Sequence, residues 1–117
     1  MTTASSGASM RFAPQELLSG MLATLQGEGF TDDADTLHAT FVRIGNDFPL
    51  MARFSAEDDA TSVALGALES SGVLTRTGGR YALSAHGRAH CVSSKRTLFS
   101  KGDTAQLEGA ALIFPTA

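Results

Sequence analysis

Two adjacent glycines, Gly78 and Gly79, constrain the fold of this chain more than any other sequence feature. They separate two short runs of β-favouring residues, 73–77 and 80–83. Glycine readily adopts the positive φ angles that a two-residue hairpin turn requires, so the pattern predicts an antiparallel hairpin. The expected cross-strand pairs are Leu74 with Leu83 and Arg76 with Tyr81. Because alternate residues of a strand share a face, we expect the two leucines to point into the core.

Helical periodicity precedes and follows the hairpin. The stretches before it are residues 14–27, which begin at Pro14, residues 33–46, with Thr31 or Asp32 as cap, and residues 56–71, with Ser55 as cap. A fourth helix is predicted from Ala85 to about Leu98, capped by Ser84. Residues 105–117 are interpreted as one short helical turn or strand. The predicted fold class is mainly α with a small β-hairpin (α+β).

Composition limits the class of protein. With 117 residues the chain fits one domain, and no apolar run approaches the roughly 20 residues that span a bilayer. The N-terminal stretch has no basic region followed by an apolar one, so we expect no secretory signal. A single cysteine, Cys91, excludes an internal disulfide framework. These features predict a cytoplasmic protein without a membrane partner.

The charges are divided unequally along the chain. Residues 1–75 carry three basic and ten acidic side chains, whereas residues 76–102 carry six basic and no acidic ones. A partner of the second segment meets a cation, which favours a polyanion such as nucleic acid. The alternative is that the two segments neutralise each other, within one chain or across a dimer.

The order of three helices followed directly by a hairpin resembles the winged helix-turn-helix superfamily. The stretch 64–87 is similar to a pattern of that superfamily through these residues: Leu65, Leu68, Glu69, Gly72, Val73, Leu74, Gly78, Gly79, Tyr81, Leu83 and Gly87. The resemblance covers about residues 14–98 and implies three helices, a two-stranded wing and a C-terminal helix. It also implies that the third helix enters the major groove of DNA and that the wing contacts phosphate.

The sequence departs from that pattern in its third helix. This helix begins Glu57-Asp58-Asp59 and contains no Arg, Lys, Asn or Gln, the side chains that best recognise base edges. We therefore expect double-stranded DNA to be contacted by the wing and the fourth helix. The candidate DNA-binding residues are Arg76, Thr77, Gly78, Arg80, Arg88, Lys95 and Arg96, with Tyr81 expected to stack on Arg76.

Two functions remain open from the sequence. The first is a DNA-binding winged-helix protein, a transcriptional regulator that uses the basic wing and C-terminal helix. The second is a winged-helix protein-protein interaction module, an adaptor or inhibitor that uses its acidic third helix. The chain is not expected to be an enzyme, and no cofactor is predicted. His86 and His90 with Cys91 lack the further ligands and spacing of a zinc site, so no metal is predicted either.

The predicted organisation has three parts. Residues 1–12 form a disordered tail, residues 13–99 the winged-helix domain, and residues 100–117 a C-terminal extension. Apolar side chains near and in the extension exceed what we expect the core to hold, so they predict a homodimer. The candidate dimerisation residues are Leu98, Phe99, Leu112, Ile113 and Phe114.

Overall fold

The structure is a computed structural model that describes residues 12–25 and 29–114. Its helices are α1 (Pro14–Thr24), α2 (Ala34–Asp47), α3 (Arg53–Ala56), α4 (Ala60–Ser70), α5 (Ala85–Leu98) and α6 (Lys101–Ile113), with a 3-10 turn at Pro49–Met51. Its strands are β1 (Gly29–Thr31), β2 (Leu74–Thr77) and β3 (Arg80–Leu83). The chain is mainly helical with a small antiparallel sheet, which confirms the predicted α+β class.

The hairpin forms as the two glycines predict. Gly78 has φ +59° and Gly79 has φ +81°, and both predicted pairs occur, Leu74 with Leu83 and Arg76 with Tyr81. Leu74 and Leu83 are buried, which confirms the predicted core face. The first strand, β1, pairs with β3 to give the sheet order β1-β3-β2. Sequence periodicity misses β1 because three residues are too few to show alternation.

The start of α2 differs from the prediction. Asp33, rather than Thr31 or Asp32, caps the helix by accepting a hydrogen bond of 2.9 Å from the backbone N–H of Thr36. The Thr36 hydroxyl and backbone N–H both donate to this carboxylate and lower the pKa of Asp33. Thr31 instead ends β1, and its hydroxyl accepts from the N–H of Asp33.

The predicted third helix, 56–71, is interrupted. Residues 53–56 form the separate turn α3, and Glu57 adopts an extended conformation at its end. Ser55 donates its hydroxyl to the carbonyl of Ala52, so it does not cap α4. The acidic residues therefore precede α4 instead of forming its first turn, although negative charge there still favours the helix dipole.

The predictions for both ends of the chain are also corrected. Phe12 was assigned to a disordered tail, but it is buried and its ring lies 4.5 Å from that of Phe99. Residues 1–11, 26–28 and 115–117 lie outside the described residues, including the predicted last turn of α1. The C-terminal stretch forms the helix α6 (Lys101–Ile113) and not the predicted short turn or strand. Ser100 and Asp103 stabilise its start by exchanging hydrogen bonds in a capping box.

The core is built around α1. The α1 side chains Leu17, Leu18, Met21 and Leu22 are at most 1% exposed, and the helix packs against α4, α5 and α6. A second aromatic cluster joins the sheet to α6, where Phe30 lies 5.3 Å from Tyr81 and 4.7 Å from Phe114. One face of the sheet therefore completes the core, and the other faces solvent.

Two helical glycines give a matched test of this packing. A Cβ at Gly87 in α5 would collide with the carbonyl oxygen of Val73, whereas a Cβ at Gly66 in α4 would meet nothing within 4 Å. We expect Gly87→Ala to lower the free energy of unfolding by about 1–3 kcal/mol through overpacking. Gly66→Ala should raise it by about 0.5–1 kcal/mol, because alanine is the better helix former. Urea unfolding measures both, and a shift of the same sign in the two variants would contradict this packing.

Candidate nucleic-acid interface

The pairing register places the two wing arginines on opposite faces of the hairpin. Arg76 pairs with the buried Tyr81, and Thr77 pairs with Arg80. Neighbouring cross-strand pairs alternate between the two faces of a sheet, so Arg76 shares the core-facing side and Arg80 the solvent side. Thr77 and Gly78 are exposed at the tip between them.

Arg76 is held by its surroundings. Its guanidinium lies 5.3 Å from the centre of the Tyr81 ring, which confirms the predicted stacking. Its Nε also donates to the carboxylate of Asp32 at 3.0 Å, and this hydrogen bond raises the pKa of Arg76. Asp32 further donates its backbone N–H to the carbonyl of Gly79 at 3.0 Å. The Asp32 carboxylate thus neutralises Arg76, one of the residues that the sequence predicted to contact phosphate.

Arg80 lies near β1, and Arg88 lies near the end of α1. A terminal guanidinium nitrogen of Arg80 passes 3.1 Å from the position that a Cβ would take at Gly29. Arg88, on α5, donates to the carbonyl oxygen of Leu25 at 3.2 Å, just after α1. The guanidinium of Arg88 therefore has a structural role at the end of α1.

The remaining predicted contacts continue along α5. Lys95 follows Arg88 by seven residues, or about 10 Å at a rise of 1.5 Å per residue, and lies on the same helix face. Lys95 and the exposed Arg96 border a groove of about 390 Å³ between α5 and α6, together with Lys101. In the part of the chain that the structure describes, no carboxylate lies within 4.0 Å of these three cations or of Arg80.

An acidic groove lies on the other side of the wing. It measures about 520 Å³ between α2, α4 and the sheet. The charged and titratable residues that line it are Asp32, Asp35, His38, Asp58, Glu69, Arg76 and Tyr81. Sequence reasoning did not predict this groove, because its carboxylates come from separate elements that only the tertiary structure brings together. The groove lies beside α4, the helix expected from the resemblance to approach DNA.

The predicted dimerisation residues are divided between core and surface. Phe99 and Phe114 are buried in the chain's own core, and Ile113 packs partly against it. These three side chains therefore have the place in the core that sequence reasoning did not find for them. Leu98 is 38% exposed and Leu112 is 80% exposed, close to opposite ends of α6. The homodimer stays a prediction, and of the five candidates only these two offer substantial apolar surface.

The histidines and the cysteine on α5 point in different directions. His86 and His90 are exposed, whereas Cys91 is fully buried. Within residues 12–25 and 29–114, no three His, Cys, Asp or Glu side chains come together as a metal site. Burial raises the pKa of the Cys91 thiol to about 11, although a hydrogen bond with Ser19 and the charge of Arg88 oppose the shift.

Comparisons with known proteins add no further assignment. A scan against models of protein families, a search of curated proteins and a search of solved structures found no match to this chain. None of the helices in the described ranges has the length and apolar character needed to cross a membrane. The assignment of function therefore depends on the geometry of the surfaces described above.

The raised pKa predicts the reactivity of Cys91. At pH 8 a thiol of pKa about 11 is ionised in only about one molecule in a thousand, so a disulfide reagent should label the native protein only as fast as it unfolds. In urea the same thiol should react at once. Because the folded state holds the proton more tightly, stability should fall as the pH rises from about 9 towards 11. Full labelling of the native protein within seconds would contradict the burial of Cys91.

Proposed function

We propose that this chain is a winged helix-turn-helix domain that binds the phosphate backbone of duplex DNA through its wing and α5. The order α1, β1, α2, α4, β2, β3 and the sheet order β1-β3-β2 support the fold, since a short strand between the first two helices completes the wing's sheet. In this assignment α4 is the third helix and β2–β3 is the wing. The cellular role that fits is transcriptional regulation.

The electrostatics of α4 argue against contact through that helix. Its sequence contains no Arg, Lys, Asn or Gln, and four carboxylates line the groove beside it. Phosphates brought to this face would be repelled, and bases would meet few side chains able to form bidentate hydrogen bonds. DNA bound by this domain therefore lies against another surface.

The observation that carries the proposal is that Arg80, Lys95 and Arg96, the proposed cation row, have no carboxylate of the described residues within 4.0 Å. Arg80 lies at the solvent face of the sheet, and Lys95 and Arg96 lie in the last turn of α5, where Lys95 shares a helix face with Arg88. A phosphate that replaces the counterions of such side chains gains affinity without base recognition. The proposed binding is thus strongly dependent on salt and weakly dependent on sequence.

A salt titration tests this row of cations. We expect Arg80→Ala to reduce the slope of log affinity against log salt concentration by about one, and Lys95→Ala/Arg96→Ala to reduce it by about two. The matched control is Arg43→Ala, which removes an exposed arginine of α2 that pairs with Asp47 at 3.6 Å. This control should leave the slope unchanged. Fluorescence anisotropy with a random duplex, from 50 to 200 mM salt, gives each slope.

Neutralising the acidic residues before α4 removes negative charge, the opposite of the previous variants, and can be tested in the same titration. Asp59 makes no side-chain capping hydrogen bond and Asp58 lines the groove, so Asp58→Asn/Asp59→Asn removes charge with little loss of structure. If this variant tightens binding while the α5 variants leave it unaffected, α4 rather than the cation row meets the DNA. Binding and slope unchanged in Arg80→Ala and Lys95→Ala/Arg96→Ala would reject the proposal.

The acidic groove favours a second candidate function, a protein-protein interaction module for a basic partner. Four carboxylates against one arginine give the groove a net negative charge, and its volume of about 520 Å³ accommodates side chains of an extended peptide. Arg76 is already bound by Asp32, so it contributes little repulsion.

A lysine-rich peptide distinguishes this candidate from DNA binding. We expect it to bind the wild-type chain at low salt and to bind several-fold more weakly to Asp35→Asn/Glu69→Gln, whose changes lie on two walls of the groove. Asp47→Asn is the matched control, because that exposed carboxylate lies on α2 outside the groove walls. An equal loss of affinity per charge removed in the two variants would show attraction by net charge alone.

A further inference from the structure

The groove between α5 and α6 combines an apolar floor with a cationic rim. Val92 and Phe99 form the floor, and the Phe99 ring is held in place because it packs 4.5 Å from Phe12. Ala105 of α6 continues the apolar surface on the opposite wall. This floor presents carbon atoms beside the charges instead of a uniformly polar surface.

Three cations surround this floor. Lys95 and Arg96 come from the last turn of α5, and Lys101 comes from the first turn of α6. They are close in the chain because only Phe99 and Ser100 separate the two helices. Glu108 is the other charged residue in the groove lining, so the net charge of the lining is +2. No carboxylate of the described residues lies within 4.0 Å of the three cations.

We propose that this groove binds a small amphipathic anion, a single phosphate or carboxylate group carried on one apolar ring. The cations neutralise the anionic group, and the ring covers Val92 and Phe99. The volume of about 390 Å³ lies near the lower end of the range for ligand sites, which fits one ring and one anionic group. The Thr104 hydroxyl, on the α6 wall, adds a hydrogen-bond donor for the anion.

This site shares Lys95 and Arg96 with the proposed DNA-binding surface but differs from it in what it requires. It needs the apolar floor as well as the charge, whereas binding of the DNA backbone needs only the charge. The two proposals can therefore succeed or fail separately when the small anion is titrated in the absence of DNA.

The test is calorimetric titration of the full chain with three probes: phenyl phosphate, inorganic phosphate and phenol. We expect phenyl phosphate to bind at least tenfold more tightly than either fragment. In NMR spectra recorded during the same titration, amide chemical shifts should change most in residues 92–108. Inorganic phosphate that binds as tightly as phenyl phosphate would overturn the proposal, because charge alone would then explain binding. Phenol that binds as tightly would overturn it as well, because the cations would then be irrelevant.

Substitutions locate the effect. Lys95→Met/Lys101→Met keeps the length of both side chains and removes two charges, and it should weaken phenyl phosphate binding at least tenfold. Arg43→Met on α2 is the control and should leave it unchanged, since this exposed arginine lies outside the groove. Lys95→Arg/Lys101→Arg keeps both positive charges and should bind phenyl phosphate within a few-fold of wild type. Equal affinity in the Met variant and the wild type would reject the site.

Discussion

The enclosure of α1 is the constraint on which the rest of the structure depends. Six successive residues, 17–22, are buried, so this helix contacts protein on nearly every side. Gly20 shows how close the packing is, because a Cβ there would lie 2.8 Å from Leu107 and 3.0 Å from Phe99. A helix that is buried all round needs several elements to cover it, and α4, α5 and α6 do so. Both α5 and α6 therefore pack on α1, and residues of these two helices line their shared groove.

The same arrangement separates the charges of the molecule. The helices α4 and α5 both pack on α1. The acidic groove beside α4 and the groove that contains the α5 cations share no lining residue, so they are distinct surfaces. The two arginines of the hairpin lie on different faces, Arg76 in the acidic groove and Arg80 on the solvent face of the sheet. The charge asymmetry of the sequence thus becomes an asymmetry of surfaces, and one chain supports two candidate ligands of opposite charge.

The sequence predicted the parts of the fold that local interactions determine. Gly78-Gly79 specified the hairpin and its register, and Ser84 marked the start of α5 through a hydrogen bond with Gly87 that the structure contains. It failed where tertiary contacts decide the outcome. The small and polar residues of α6 give no clear apolar stripe, yet Leu107, Ala110 and Phe114 are buried because α1 and the sheet need covering. The acidic groove was unpredictable for the same reason, since no single segment of the chain contains it.

Asp32 shows how a single tertiary contact changes the assignment of a site. In the sequence, Arg76 and Arg80 are both candidate phosphate contacts near the tip of the hairpin. The register had already predicted that Arg76 lies opposite Tyr81, and alternation along the strands then places Arg80 on the other face. What the sequence did not predict is that Asp32, just after β1, would bind Arg76 with its carboxylate and Gly79 with its backbone N–H. These two bonds fasten the wing to the acidic side of the molecule. Arg80, on the other face of the hairpin, has no carboxylate of the described residues within 4.0 Å.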